Sequence, residues 1–333
     1  MARRRHITMV RSVLVVATVL KAACGFAQHF DSASPELRAV RFLAVEVPKW
    51  KRENGCYSCH NNGDAARALM VAARDGMLAD RAPVADTVRF LATPERWDDN
   101  GPDGPFKDKK LARIQFAAAL VEAVGAGLIA DQGALERAAA LVAETQTPEG
   151  NWETDAPGNV GSPATYGRAL ASFMAMRTLA AAGQPMHRAA LTRASRWFLA
   201  TEPKSVLDAA ATLWALADDK SDVAQAQRGR SLELVRRGQS TDGGWGPFVN
   251  APPEAFDTAV VLLALAAQED RARLGPLIAR GREYLLARQA KDGGWPPTTR
   301  PPGADSYAQR LSTSGWATLA LLATRRLTEP RRL

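Results

Sequence analysis

Gln289-Ala290-Lys291-Asp292-Gly293-Gly294-Trp295 is one of three segments that share the spacing Gln-x-x-x-Gly-x-Trp; the others are Gln146-Thr147-Pro148-Glu149-Gly150-Asn151-Trp152 and Gln239-Ser240-Thr241-Asp242-Gly243-Gly244-Trp245. Each follows an amphipathic helical stretch (135–144, 224–237, 276–288) and precedes a polar loop and a more apolar helix (163–182, 254–268, 306–324). The unit is therefore outer helix, turn, loop, inner helix, and a repeat of this kind decides the fold before local propensity does. Weaker copies complete the set. Residues 84–93, 100–106 and 107–125 form one, and 189–200 and 205–217 form another whose turn, 201–204, has lost the motif. The first unit runs from 35–47 through the turn 51–57 to a helix at about 64–74, with Tyr57 at the tryptophan position. Six helical hairpins close naturally into an all-α (α/α)6 toroid in which inner helices line a barrel, and closure removes the ends an open solenoid must cap.

The three turns resemble the Q-W motifs of squalene and oxidosqualene cyclases, and the hairpin count resembles the α/α toroid of terpenoid cyclases and protein prenyltransferase β subunits. The resemblance spans roughly residues 35–324 and implies the fold, which does not carry function with it. Hopene-type cyclases protonate their substrate with a D-x-D-D motif, which Ala217-Asp218-Asp219-Lys220 and Trp97-Asp98-Asp99-Asn100 do not match. Prenyltransferases hold zinc with an Asp-x-Cys pair, whereas Asp257 is followed by Thr258 and Ala259. Neither parent chemistry is expected.

Cys56-Tyr57-Ser58-Cys59-His60 carries the chemistry expected instead. C-x-x-C-H is the spacing by which two thiols attach a haem while the adjoining imidazole takes its iron, so the chain is expected to resemble a monohaem c-type cytochrome. Residues 1–27 read as a signal peptide: Arg3, Arg4, Arg5 and Arg11 precede a short apolar core, Val13 to Leu20, with cleavage after Ala27. Cleavage removes the third cysteine, Cys24, whose use as a lipid anchor is the rival, disfavoured by Lys21. The domains are then 1–27 leader, 28–326 toroid and 327–333 tail, and the location is periplasmic. Without the leader the formal charge falls from +8 to +3, and no basic run is interleaved with aromatics, so nucleic acid is not an expected partner. No membrane span follows the leader.

The sequence assigns haem c to Cys56, Cys59 and His60, with His60 the proximal ligand and His29 the candidate distal ligand. Met77, Met186 and His187 fall on far-side connections, Met174 and Met176 read as cavity wall, and Met70 follows His60 on its own helix. Arg113, Arg168 and Arg310, near inner-helix starts, are candidate rim partners for the propionates, which places the haem at the barrel mouth on the Gly-x-Trp rim. A redox dithiol would want a βαβ pattern that is absent, and zinc would want four ligands where only His29 and His187 remain beyond His60. Trp152, Trp245 and Trp295 read as structural clamps. Two functions stay open: an electron-transfer cytochrome with a periplasmic redox partner, or a periplasmic enzyme, haem-dependent or not, or binding protein that uses the barrel cavity for an apolar, isoprenoid-like ligand. For the second, Arg113, Tyr166, Arg168, Asp257, Tyr307 and Arg310 are lining candidates.

Overall fold

The computed structural model describes residues 33–99, 108–155, 160–298, 300 and 306–328. Among them the chain forms twelve α-helices in alternating outer and inner positions and no strand. The outer helices are α1 (Pro35–Asn54), α3 (Ala85–Leu91), α5 (Gln132–Ala143), α7 (Arg188–Ala200), α9 (Asp222–Gly238) and α11 (Arg271–Arg288). The inner helices are α2 (Ala66–Arg74), α4 (Lys109–Gly125), α6 (Gly167–Ala182), α8 (Val206–Ala215), α10 (Ala255–Ala266) and α12 (Tyr307–Thr328). Burial follows this alternation. Every residue of α10 from Ala255 to Leu265 is buried, whereas α9 buries only five scattered positions and turns its Arg and Glu residues outward. A helix apolar all round must be surrounded by protein, and one with a single apolar stripe must lie at the surface.

Each repeated turn locks its own hairpin to the next. The indole N–H of Trp152, Trp245 and Trp295 donates to a carbonyl of the preceding outer helix, at Val142 (2.8 Å), Val235 (2.7 Å) and Leu285 (2.8 Å). Their backbone N–H groups donate to Ser172, Thr258 and Ser314 on the following inner helix. The glutamine amides reach the next unit's outer helix, at Ala190 O (2.9 Å), Leu277 O (3.1 Å) and Pro35 O (2.9 Å). The last of these joins the sixth unit to the first and closes the ring. Gly150, Gly243 and Gly293 have φ of 101°, 92° and 97°, and a Cβ on each would sit 2.4 Å from a carbonyl of that same neighbouring helix. Only glycine satisfies both conditions.

Two elements differ from the sequence expectation. Helix α1 does not stop at Val47 but continues through Pro48 to Asn54. Pro48 cannot donate to the Ala44 carbonyl one turn back, and the neighbouring Val47 carbonyl accepts from the side-chain amide of Asn61 at 3.0 Å. In the second unit, residues 100–106 lie outside the described residues, and Trp97 takes the clamp role by donating to Phe90 O at 3.2 Å.

Candidate functional site

All outer-to-inner connections lie at one rim, so the turn carrying Cys56 to His60 sits on the same rim as Trp152, Trp245 and Trp295. Its construction is different. Gly55 ends α1 in the left-handed region, φ 69°, and Cys59–Ala65 then winds as a π-helix that runs directly into α2. The turn is stitched in place: Asn62 accepts from Ser58 N (2.9 Å) and donates to Thr87 (2.7 Å), while Asn61 holds Val47. Tyr57 stacks on Phe90 at 4.0 Å and accepts from Lys51 at 2.6 Å, a half-buried substitute for the buried indoles of the other turns. A wide helical turn of this kind is common at functional sites, and its effect here is to carry Asp64 to the centre of the barrel.

Asp64 is fully buried. Oδ1 accepts from the Tyr166 hydroxyl, and Oδ2 accepts from Gln115 Nε2 at 2.9 Å and from the Ser312 hydroxyl. Three further units therefore converge on one carboxylate of the first. Tyr166 reaches it from a backbone with φ 55°, uncommon for a bulky residue, and burial together with the Asp64 charge pushes its phenol well above the usual range, so it remains a donor. Gly63 and Gly315 allow the close approach: a Cβ on the first would meet Gln115 at 2.8 Å, and on the second Asp64 O at 2.7 Å.

One helical turn on, Arg67 is 1 % exposed. Its guanidinium lies 4.2 Å over the Trp316 ring, donates through Nη1 to Met174 Sδ at 3.4 Å, and stands 3.9 Å from Asp64 Oδ1. Beyond Arg67 a cavity of about 190 Å³ opens at the C-terminal ends of the inner helices, the rim opposite the tryptophan turns. All six inner helices line it; Val71, Trp214, Leu263 and Leu319 form the apolar wall, while Glu122 at the open end is gripped by Arg74 (2.7 Å) and Arg177. A second, more polar cleft of about 440 Å³ lies on the tryptophan-turn rim between the third and fourth units, against Tyr166, Trp197 and Phe248.

Over the barrel end on that same rim, Arg300 donates to Gly161 O (3.0 Å) and Asp257 (2.7 Å) and pairs with Glu254 (3.0 Å), joining loops of the third and sixth units to the start of α10. Burial outweighs the Arg300 charge at Asp257 and pushes that carboxyl up to about 7. The remaining rim residues singled out in the sequence are engaged by carboxylates: Arg113 by Asp98 (3.1 and 2.8 Å), Arg168 by Glu153 (3.0 Å), Arg310 by Asp292 (2.9 and 2.7 Å) and Tyr307 by Glu46. Of the lining candidates, only Tyr166 reaches the central cluster. Asp64, Arg67, Gln115, Ser312 and Trp316 were not singled out, because no local motif marks residues that meet only when the ring closes.

The comparisons agree with this geometry. The family model described as squalene-hopene cyclase C-terminal domain matches residues 202–331. A drimenyl diphosphate synthase from Streptomyces showdoensis is 39% identical over 66 residues, a match spanning 20% of this chain and 12% of that protein's length. Among solved structures, the type II terpene cyclase MstE from Scytonema superposes with a TM-score of 0.57 at 14% identity, covering 88% of this chain and 100% of the other. A possible member of the GH105 family from Klebsiella pneumoniae gives 0.53 at 10%, covering 97% and 96%. At such identities the structural likeness speaks to fold alone. The chain is a terpenoid cyclase-like α/α toroid.

The electron-transfer cytochrome expectation is overturned by these findings, which align the chain with cyclases. Cys56 is 5 % exposed, and burial, reinforced by Asp64, raises the Cys59 thiol to about 12, far from the thiolate range. Burial lowers His60, whose Nδ1 is buried without a hydrogen-bond partner. The proposed propionate partners Arg113, Arg168 and Arg310 are all held by acids. Among the described residues no group of three or more His, Cys, Asp or Glu could hold a metal ion. His29, the candidate distal ligand, and the leader lie outside the described residues.

Proposed function

We propose that this protein is a cyclase-like toroid that holds a small apolar, isoprenoid-like molecule among its inner helices. The observation that supports it is the cavity itself, walled by Val71, Trp214, Leu263 and Leu319 at the C-terminal ends of the inner helices. An engineered apolar cavity of about 150 Å³ takes benzene, so about 190 Å³ suits a group of one or two isoprene units and not a folded triterpene.

Binding fits the two buried aspartates better than cyclisation does. Both oxygens of Asp64 accept hydrogen bonds, which leaves no proton aimed at a substrate. Asp257 carries a carboxyl suited to holding a proton near neutrality, but it faces Arg300 and is not part of the cavity wall. Residues 1–27, if cleaved as a leader, would send the protein to the periplasm, and the ligand would be met there.

Titration calorimetry with geraniol, farnesol and squalene tests the reading. Geraniol is expected to bind, and Leu319→Trp, which fills the cavity, to abolish binding while the protein stays folded by circular dichroism. Squalene is expected not to bind. Absence of binding by every short isoprenoid would overturn the proposal.

A further inference from the structure

The fourth unit is the one whose turn has lost the repeat altogether, and the loss leaves a notch in the rim. Its connection is residues 201–205, whereas the connections on either side run over 144–166 and 239–254. The flanking loops therefore stand above a gap that no glutamine, glycine or tryptophan of the fourth turn fills. This gap is the cleft of about 440 Å³, within the range of roughly 300–1,000 Å³ common for small-molecule sites.

Two aromatic rings are set in it. Trp197 reaches the cleft from α7, packed edge-on against Phe198 at 4.9 Å, and Phe248 reaches it from the loop of the fifth unit. Phe248 is 44 % exposed, yet its loop is fixed: the Pro247 carbonyl accepts from Val206 N at 2.8 Å, and the Phe248 carbonyl accepts from Ala251 N at 3.1 Å. A ring held in place while part of its face stays in water is preorganised for a ligand that covers it.

Charges of both signs share the cleft. Arg168 and Lys204 are set against Glu202 and Asp208, and Arg168 is already engaged by Glu153 at 3.0 Å. An anion or a cation would meet as much repulsion as attraction, and a hydrocarbon would strip water from the charged groups. A hydroxyl both donates and accepts, so it suits either sign without bringing a charge of its own. A sugar ring carries such hydroxyls around its edge and C–H groups on its faces, where an aromatic ring can lie.

We infer that this cleft binds a neutral saccharide of one or two rings, its C–H faces on Trp197 and Phe248 and its hydroxyls toward Glu202, Lys204 and Asp208. The volume is roughly three times that of an apolar cavity that takes benzene, a single six-membered ring. The site lies on the tryptophan-turn rim, away from the apolar cavity, so the inference does not depend on the proposed function.

The test titrates the full chain with glucose, cellobiose, maltose, lactose and N,N′-diacetylchitobiose, read by tryptophan fluorescence and saturation-transfer NMR. At least one is expected to bind with a Kd of about 1 mM or below. Phe248→Ala, at an exposed position that leaves the fold intact, is expected to weaken that binding about fivefold, and Trp197→Ala by about as much, as for loss of one aromatic contact. Geraniol binding is expected to stay the same in both variants. The charged sugars glucuronate and glucosamine are expected to bind more weakly than glucose. Absence of binding by all the neutral sugars, binding unchanged in both variants, or tighter binding of either charged sugar than of glucose overturns the inference. None of these outcomes bears on the cavity, whose own failure is read from the isoprenoids.

Discussion

The turn at residues 289–295 and the turn at 55–65 occupy equivalent places in the ring and do opposite things. In the first, glutamine, glycine and tryptophan each contact helix backbone, and the whole segment serves to fasten one hairpin to another. In the second, glutamine and tryptophan are absent, the chain widens into a π-helix, and the product is a carboxylate and a guanidinium at the barrel axis. Where the repeat is kept its residues maintain the ring, and where it is broken they build the centre. The two rims differ in the same way, one stitched by Gln–backbone bonds and covered by Arg300, the other open onto the cavity.

The sharpest way to break this comparison is Trp295→Ala, expected to cost about 3–5 kcal/mol in denaturant unfolding, as for other large buried side chains. Tyr57→Ala, at the matching position, is expected to cost less than half as much because its ring is only half-buried against Phe90. Equal costs would mean that the first turn is a clamp after all. Asp64→Asn comes next. It keeps the shape but removes the charge shared by Tyr166, Gln115, Ser312 and Arg67, and is expected to cost about 2–3 kcal/mol by the same measurement.

An effect with a definite sign, read from the pH dependence, belongs to Asp257. Its folded-state carboxyl sits at about 7 against an ordinary 3.8, so between these values the folded protein holds a proton that the unfolded chain has released. The stability from this group is fully present below the unfolded value and is lost as pH rises toward about 7. Asp257→Asn is expected to flatten that part of the stability–pH curve, measured as urea midpoints from pH 4 to 8. Last, Arg310→Ala breaks an ion pair whose Asp292 partner is half-exposed, and is expected to change stability by less than about 1 kcal/mol.

The fold was legible because its determinants are local and repeated. A glutamine, a positive-φ glycine and a tryptophan within seven residues announce a turn, and the apolar character of 254–268 against the mixed pattern of 224–237 separates inner from outer helices. The role of the Gln-Gly-Trp turns as clamps was legible for the same reason. The centre was not. Asp64, Gln115, Tyr166 and Ser312 lie in four different units, and nothing near each one signals that they meet. Cys56 to His60 shows the complementary limit: its spacing matches a strong local motif, while burial of the Cys56 thiol and the use of Asn61 and Asn62 as braces emerge only from packing. Arg113, Arg168 and Arg310 were rightly placed near inner-helix starts, but their acidic partners on neighbouring turns were not evident from spacing.

The bonds from Gln289 to Pro35 and from Arg38 back to Gln289 link residues 254 and 251 positions apart. Contacts of such separation are made late, after a large loss of chain entropy. On the ribosome, the first outer helix therefore waits with one side uncovered until the sixth turn has been made, so the order of synthesis runs against the order of assembly. Relocating the break to the motif-poor connection at 201–204, with the present ends joined by a linker, would put the first and sixth units next to each other in sequence. Such a circular permutant is expected to reach the same barrel faster, because its ring-closing step would become a contact between neighbours.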